Sequence, residues 1–188
     1  MTKTQKLALG LSLLAVAMVG GTSAYFATSE RTHNIITTSG VGIELIEDTE
    51  EIGVDGRPIP FINIEDAMPG DRISKIPKIK NIDETDVYVR MKVMASVELE
   101  TGESYKLSPD AFNLDLGRSW SPRGGYYIYA RTLHPGETTQ ALFTTVTIPK
   151  KLEDKYQNAK YSLTLQGEAV QAKNNNSNPL DAEGWPEE

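Results

Sequence analysis

The chain contains no cysteine. That absence excludes disulfides, thiolate metal sites and cysteine nucleophiles together. Histidine is scarce as well. The two present, His33 in a polar arm and His134 in a turn, form no His-Glu-x-x-His pair, so the usual helix-borne zinc site is not encoded. Cations are the minority charge: 19 lysines and arginines face 26 aspartates and glutamates, for a formal net charge of −7. Nucleic-acid binding needs a basic face, so this balance argues against such a partner. No stretch alternates strand with long helix, which disfavours a parallel α/β sheet. There is no Gly-x-Ser-x-Gly elbow, and Arg123-Gly124-Gly125 lacks the phosphate-loop pattern. Neither a catalytic set nor a cofactor motif is read. What is present is 39% hydrophobic and 24% charged residues over 188 positions, enough for one buried core with flanking segments.

The one long apolar run opens the chain. Lys3 and Lys6 precede Leu7 to Gly21, and Thr22-Ser23-Ala24 follows with small side chains. The run, of roughly 15 residues, fits a signal-peptide core and is short for a span, which needs about 20. Residues 1–24 therefore read as a signal peptide cleaved between Ala24 and Tyr25, with the uncleaved form as the only membrane attachment. Removing Lys3 and Lys6 takes the charge to −7 − 2 = −9.

Residues 25–40 are polar and rich in serine and threonine, with Ile35-Ile36 as their aliphatic pair, and read as an arm. A period of two then takes over. Val41, Ile43 and Leu45 alternate with Gly42, Glu44 and Ile46; Ile59 to Ile64 and Ile73 to Ile79 are further extended candidates, Pro77 marking an edge or bulge. The strongest strand is Asp86 to Glu98, where Val87, Val89, Met91 and Val93 point one way and Tyr88, Arg90, Lys92 and Met94 the other. Ser108-Pro109 predicts a capped helical turn, Tyr126 to Ala130 and Leu142 to Ile148 predict strands, and Tyr161, Leu163 and Leu165 open another that continues to Ala172. Lys150 to Asn158 reads as a charged connection. Roughly seven to nine short strands with almost no helix predict an all-β fold, a single antiparallel, jelly-roll-like β-sandwich over 41–172. From Lys173 to the end, residues 173–188 read as a solvated polar tail, with Trp185 placed to dock back on the sandwich.

Few residues suggest chemistry. Glu44, Glu47, Asp48, Glu50 and Glu51 cluster, and Asp66 and Asp71 bracket a turn; oxygen donors of this kind bind calcium, but the spacing matches no calcium loop and a solvated face is the commoner meaning. Trp120, Tyr126, Tyr127 and Tyr129 suit a sugar-binding surface or, more commonly, cross-strand packing. Asn175-Asn176-Ser177 matches the glycosylation sequon.

Several segments together carry a resemblance. Gly20-Gly21-Thr22-Ser23-Ala24-Tyr25-Phe26 with Ser39-Gly40-Val41-Gly42-Ile43-Glu44-Leu45, then Met68-Pro69-Gly70-Asp71 leading to Lys80-Asn81 and Val87 to Val93, resemble the TasA/camelysin family. So do Leu133-His134-Pro135-Gly136-Glu137 with Leu142-Phe143, and Glu168 to Ala172 followed by Ala182-Glu183-Gly184-Trp185. The resemblance implies a jelly-roll protein of a Gram-positive-type bacterium, exported through a SipW-type signal peptidase. It implies a structural role in the biofilm matrix or at the cell surface, by self-association into fibres or by joining a related fibre protein. In such fibres the mature amino-terminal arm completes the neighbour's sheet; here Tyr25, Phe26, Ile35 and Ile36 would be its apolar side chains. The arm also carries Glu30, Arg31 and His33, so both strand donation and simple tethering stay open. The family's metallo-endopeptidase label finds no ligand set here. A secreted peptidase of that kind and a monomeric glycan-binding adhesin are the alternatives.

Overall fold

A computed structural model describes residues 25–26, 35–38, 41–61, 70–149 and 159–186. The signal peptide with Ala24, the Asp66 turn, His33 and the Lys150–Asn158 connection lie outside the described residues. The described chain is an antiparallel β-sandwich in which two main sheets and a separate two-stranded one surround one core.

The first sheet is built on two long strands, β7 (Val87–Glu98) and β12 (Lys160–Gln171), of 12 residues each. They pair antiparallel without a register shift, from Val87 opposite Gln171 to Glu98 opposite Lys160. Alternation explains their burial. Val87, Val89, Met91, Val93, Ala95 and Val97 are buried in the core, and so are Tyr161, Leu163 and Leu165 across from them. Each such side chain contributes roughly 1.5–3 kcal/mol by leaving water. On the far edge of β7 lie β10 (Tyr126–Tyr129) and, further along, β8 (Ser104–Leu107); β9 (Trp120–Arg123) pairs with β10. On the far edge of β12 sits β1 (Tyr25–Phe26), the single parallel pairing among the described strands.

The second sheet centres on β3 (Val41–Ile52). Strand β6 (Ile76–Asn81) pairs with it from Ile43 to Asp48. Because β2 (Ile35–Thr38) meets β3 at Ile43 and Glu44, and β4 (Pro58–Pro60) meets it at Asp48, both lie on the side opposite β6. Strand β5 (Arg72–Ser74) pairs with β11 (Thr145–Thr147). The sheets pack tightly at Gly167, where a Cβ would stand 3.2 Å from Ile79 Cδ1 and 3.5 Å from Ile43 Cδ1. A larger residue there would force the two sheets apart.

Two expectations are corrected. The strand from Leu142 to Ile148 is only Thr145–Thr147. Residues 137–142 run beside β6, but Leu142 N–H donates to Pro77 O, so the donor that proline lacks faces this segment. The ladder is replaced there by a side chain: Ile79 N–H donates to the Thr139 hydroxyl at 2.9 Å. The second concerns the tail, which is polar and mostly exposed yet held to the sandwich, with Trp185 docked as expected. A 3-10 turn at Pro179–Asp181 buries Pro179, the Tyr88 hydroxyl donates to Asn176 O at 2.8 Å, and Trp185 lies over Arg90. The asparagines that made this segment look solvated are its internal fasteners. Asn175 bonds to Gln171 O, Glu183 O and Glu183 N–H, and Asn178 caps the turn through Leu180 N–H.

Candidate assembly surface

The arm residues singled out in the sequence fall on two different sheet edges. Tyr25 and Phe26 pair in parallel with Lys160 and Tyr161 at the start of β12. Ile35 and Ile36 pair antiparallel with Glu44 and Ile43 of β3. The arm thus touches both sheets by main-chain bonding, with two residues on one and four on the other. Along β12 the contrast between edges is large. Its β7 side is paired over its whole length, whereas on the other side no described strand pairs with Ser162 to Gln171.

The remaining candidates separate rather than converge. In the acidic cluster, Glu47 is ion-paired with Lys75, and Asp48 with Lys78 at 2.8 Å. Glu50 and Glu51 are exposed on the continuation of β3, while Asp71 immediately precedes β5, where its carbonyl accepts from Ile148 N–H. No group of three or more His, Cys, Asp or Glu side chains suited to a metal occurs among the described residues. The aromatic set is packed inward. Trp120 and Tyr129 are buried with ring centroids 5.1 Å apart, and the Trp120 indole N–H donates to Gln140 O. Tyr126 is buried beneath Arg90, whose guanidinium carbon is 3.7 Å from its ring centroid and 4.6 Å from that of Trp185. Arg90 also bonds the buried Glu168 at 2.7 Å.

His134 pairs with Asp86 rather than with a second metal ligand, at 2.8 Å between Nδ1 and Oδ1. The bond to Asp86, and then its negative charge, raise the imidazole pKa above its ordinary value. Asp115 is a residue the sequence did not mark. Burial works against its charge, but bonds from the Thr144 hydroxyl and from Thr144 and Thr145 N–H outweigh this and hold its carboxyl below the usual range. The Ser108 hydroxyl accepts from Asp110 N–H and caps a 3-10 turn at Pro109–Ala111, as its position before proline predicts.

No family model, no curated protein and no solved structure matches the chain.

Proposed function

We propose that this protein is a secreted structural component of an extracellular matrix or cell surface, and that its copies associate by exchanging the amino-terminal arm between sheet edges. The observation that carries this reading is the edge of β12, a 12-residue strand covered on its outer side by only Tyr25 and Phe26 among the described residues. A long strand edge of this kind is a template for an added strand. An arm anchored at one edge of one copy and paired to an edge of another makes a contact that does not close, and repetition gives a filament. The motif order shared with the TasA/camelysin family supports the same role, with export through a SipW-type peptidase and release of the arm by cleavage before Tyr25.

Negative-stain electron microscopy of the protein from Tyr25 onward, before and after concentration or mild acidification, tests this reading. Filaments are the expected result. Deleting residues 25–38 should leave the sandwich folded, by circular dichroism and thermal melt, and abolish filaments. Filaments from the truncated protein would rule out exchange of the arm.

A further inference from the structure

Beyond Asp48, the last residue of β3 paired to β6, strand β3 continues to Ile52 with β4 as its strand partner. The two strands and their turn form a ribbon over 49–60 whose residues from Glu50 onward are exposed, Gly53 apart. A two-stranded ribbon is marginal in water unless something covers it. This one carries three of the seven exposed large apolar side chains: Ile52, Val54 and Ile59, at 61%, 112% and 37% exposure. Ile52 is opposite Pro58 in register, so Ile59, the next residue, points from the opposite face. Glu50, Glu51 and Asp55 against Arg57 give the ribbon a charge of −3 + 1 = −2. Two such ribbons would repel each other, so the partner surface must be basic and partly apolar.

The same chain presents one. Leu116 is 43% exposed, and Arg118 and Arg131 are exposed beside it. Gly117 N–H donates to Leu142 O, and Ala130 N–H donates to Ser119 O, which brings the backbone at Arg118 and Arg131 together. The nearest carboxylate in sequence, Asp115, is engaged by Thr144 and Thr145. This corner lies beside β9 and β10 of the first sheet, and the β5–β11 pair stands between it and the ribbon. Glu50 N–H reaches the Ser74 hydroxyl of β5, Ser74 pairs with Thr145 of β11, and Thr145 N–H reaches Asp115.

We infer that the ribbon of one copy docks on the Leu116–Arg118–Arg131 corner of the next. Donor and acceptor are two different patches of the same chain, one on the β3–β4 ribbon and the other beside β9 and β10, so the contact is head-to-tail and runs with a filament. It takes its partner, a second copy, from the self-assembly reading, but uses no residue of the arm.

A charge-exchange series on the protein from Tyr25 onward tests the contact by sedimentation velocity and electron microscopy. Glu50→Lys with Glu51→Lys, and separately Arg118→Glu with Arg131→Glu, should each weaken association about tenfold or more, the scale of like charges brought together at an interface. All four substitutions in one chain should restore association to within about threefold of the parent. Ile52→Ser with Val54→Ser should weaken it without changing its salt dependence. Melting curves of these exposed-site variants should match the parent. An associating parent with unaffected reversal variants would overturn the contact and leave arm exchange standing. Weakening by both pairs without rescue by their combination would also overturn it. A parent that stays monomeric at every concentration would remove both.

Discussion

Lys75 has no exposed surface, yet it is paired with a carboxylate. It sits between β5 and β6, ion-paired to Glu47 on β3, with its ammonium 4.0 Å from the centroid of the Phe61 ring. Burial pulls its pKa below 10.5, while the charge and hydrogen bond of Glu47 oppose that fall. Removing the carboxylate by Glu47→Ala leaves a buried ammonium with, among the described residues, the Phe61 ring to answer it. Breaking a fully buried pair in this way costs about 3–5 kcal/mol. Glu47 keeps 28% exposure, so water softens the loss, and about 2–3 kcal/mol is the figure to expect. For a domain of this size that lowers Tm by about 4–12 °C. Lys75→Met removes the charge and fills the same space, and should change stability by less than about 1 kcal/mol. The double variant should match Lys75→Met.

The pH dependence has a definite sign. Between the lowered folded value and 10.5, the unfolded chain binds the proton and the folded chain does not, so stability rises with pH across that window. Glu47→Ala removes the two influences that raise the folded value, so the window widens downward and the rise steepens. Urea melts of all four proteins between pH 7 and pH 10 measure this. A Lys75→Met variant less stable than Glu47→Ala would refute the reasoning, because the pair would then be a net source of stability.

Trp185→Ala should uncover one face of Arg90 and loosen the tail, costing about 1–2 kcal/mol in chemical denaturation, with proteolysis appearing between 173 and 188 before the sandwich opens. His134 titrates in the accessible range. Its proton resonances should give a pKa above 6.5 that falls back in Asp86→Asn; the linked stability is complete below 6.5 and is lost as pH rises through the folded value. An unchanged titration in Asp86→Asn would mean that the pair does not persist in solution.

Strands with one buried face were legible because their side chains alternate. Val87 to Glu98 was readable almost to the residue, and Ser108-Pro109 announced its capped turn. Weakly alternating edge strands were not. Ser104–Leu107 shows mostly exposed side chains, and Trp120–Arg123 is broken by Pro122, so neither carries a periodic signal. The tail misled for a different reason. A run of asparagines has the composition of a solvated linker, and nothing local tells whether its amides bond to water or to one another. Asn174 adopts a positive φ of 63°, which lets the following asparagines turn back on the sheet. The exposed ribbon was half legible: its proline-flanked strand was foreseen, but exposure depends on β6 stopping at Ile76, a long-range fact.

The edges of the two sheets are not treated alike, and the difference bears on assembly. Strand β4, at one edge of the second sheet, carries Pro58 and Pro60, and β9, at the far edge of the first, carries Pro122. Proline cannot donate to an added strand, so these edges are poor templates. Strand β12 contains no proline, and its pairing with β7 shows no register shift. Its middle positions Ser162, Thr164 and Gln166 are uncharged. A chain that needed only to remain monomeric would gain from blunting this edge as it blunts the other two. Among the described residues, β1 covers the start of this edge, and a long smooth edge favours the arrival of a further strand. In the assembly proposed above, the arm, whose Tyr25–Phe26 and Ile35–Thr38 pair with one strand of each sheet, is the segment that would supply that strand to another copy.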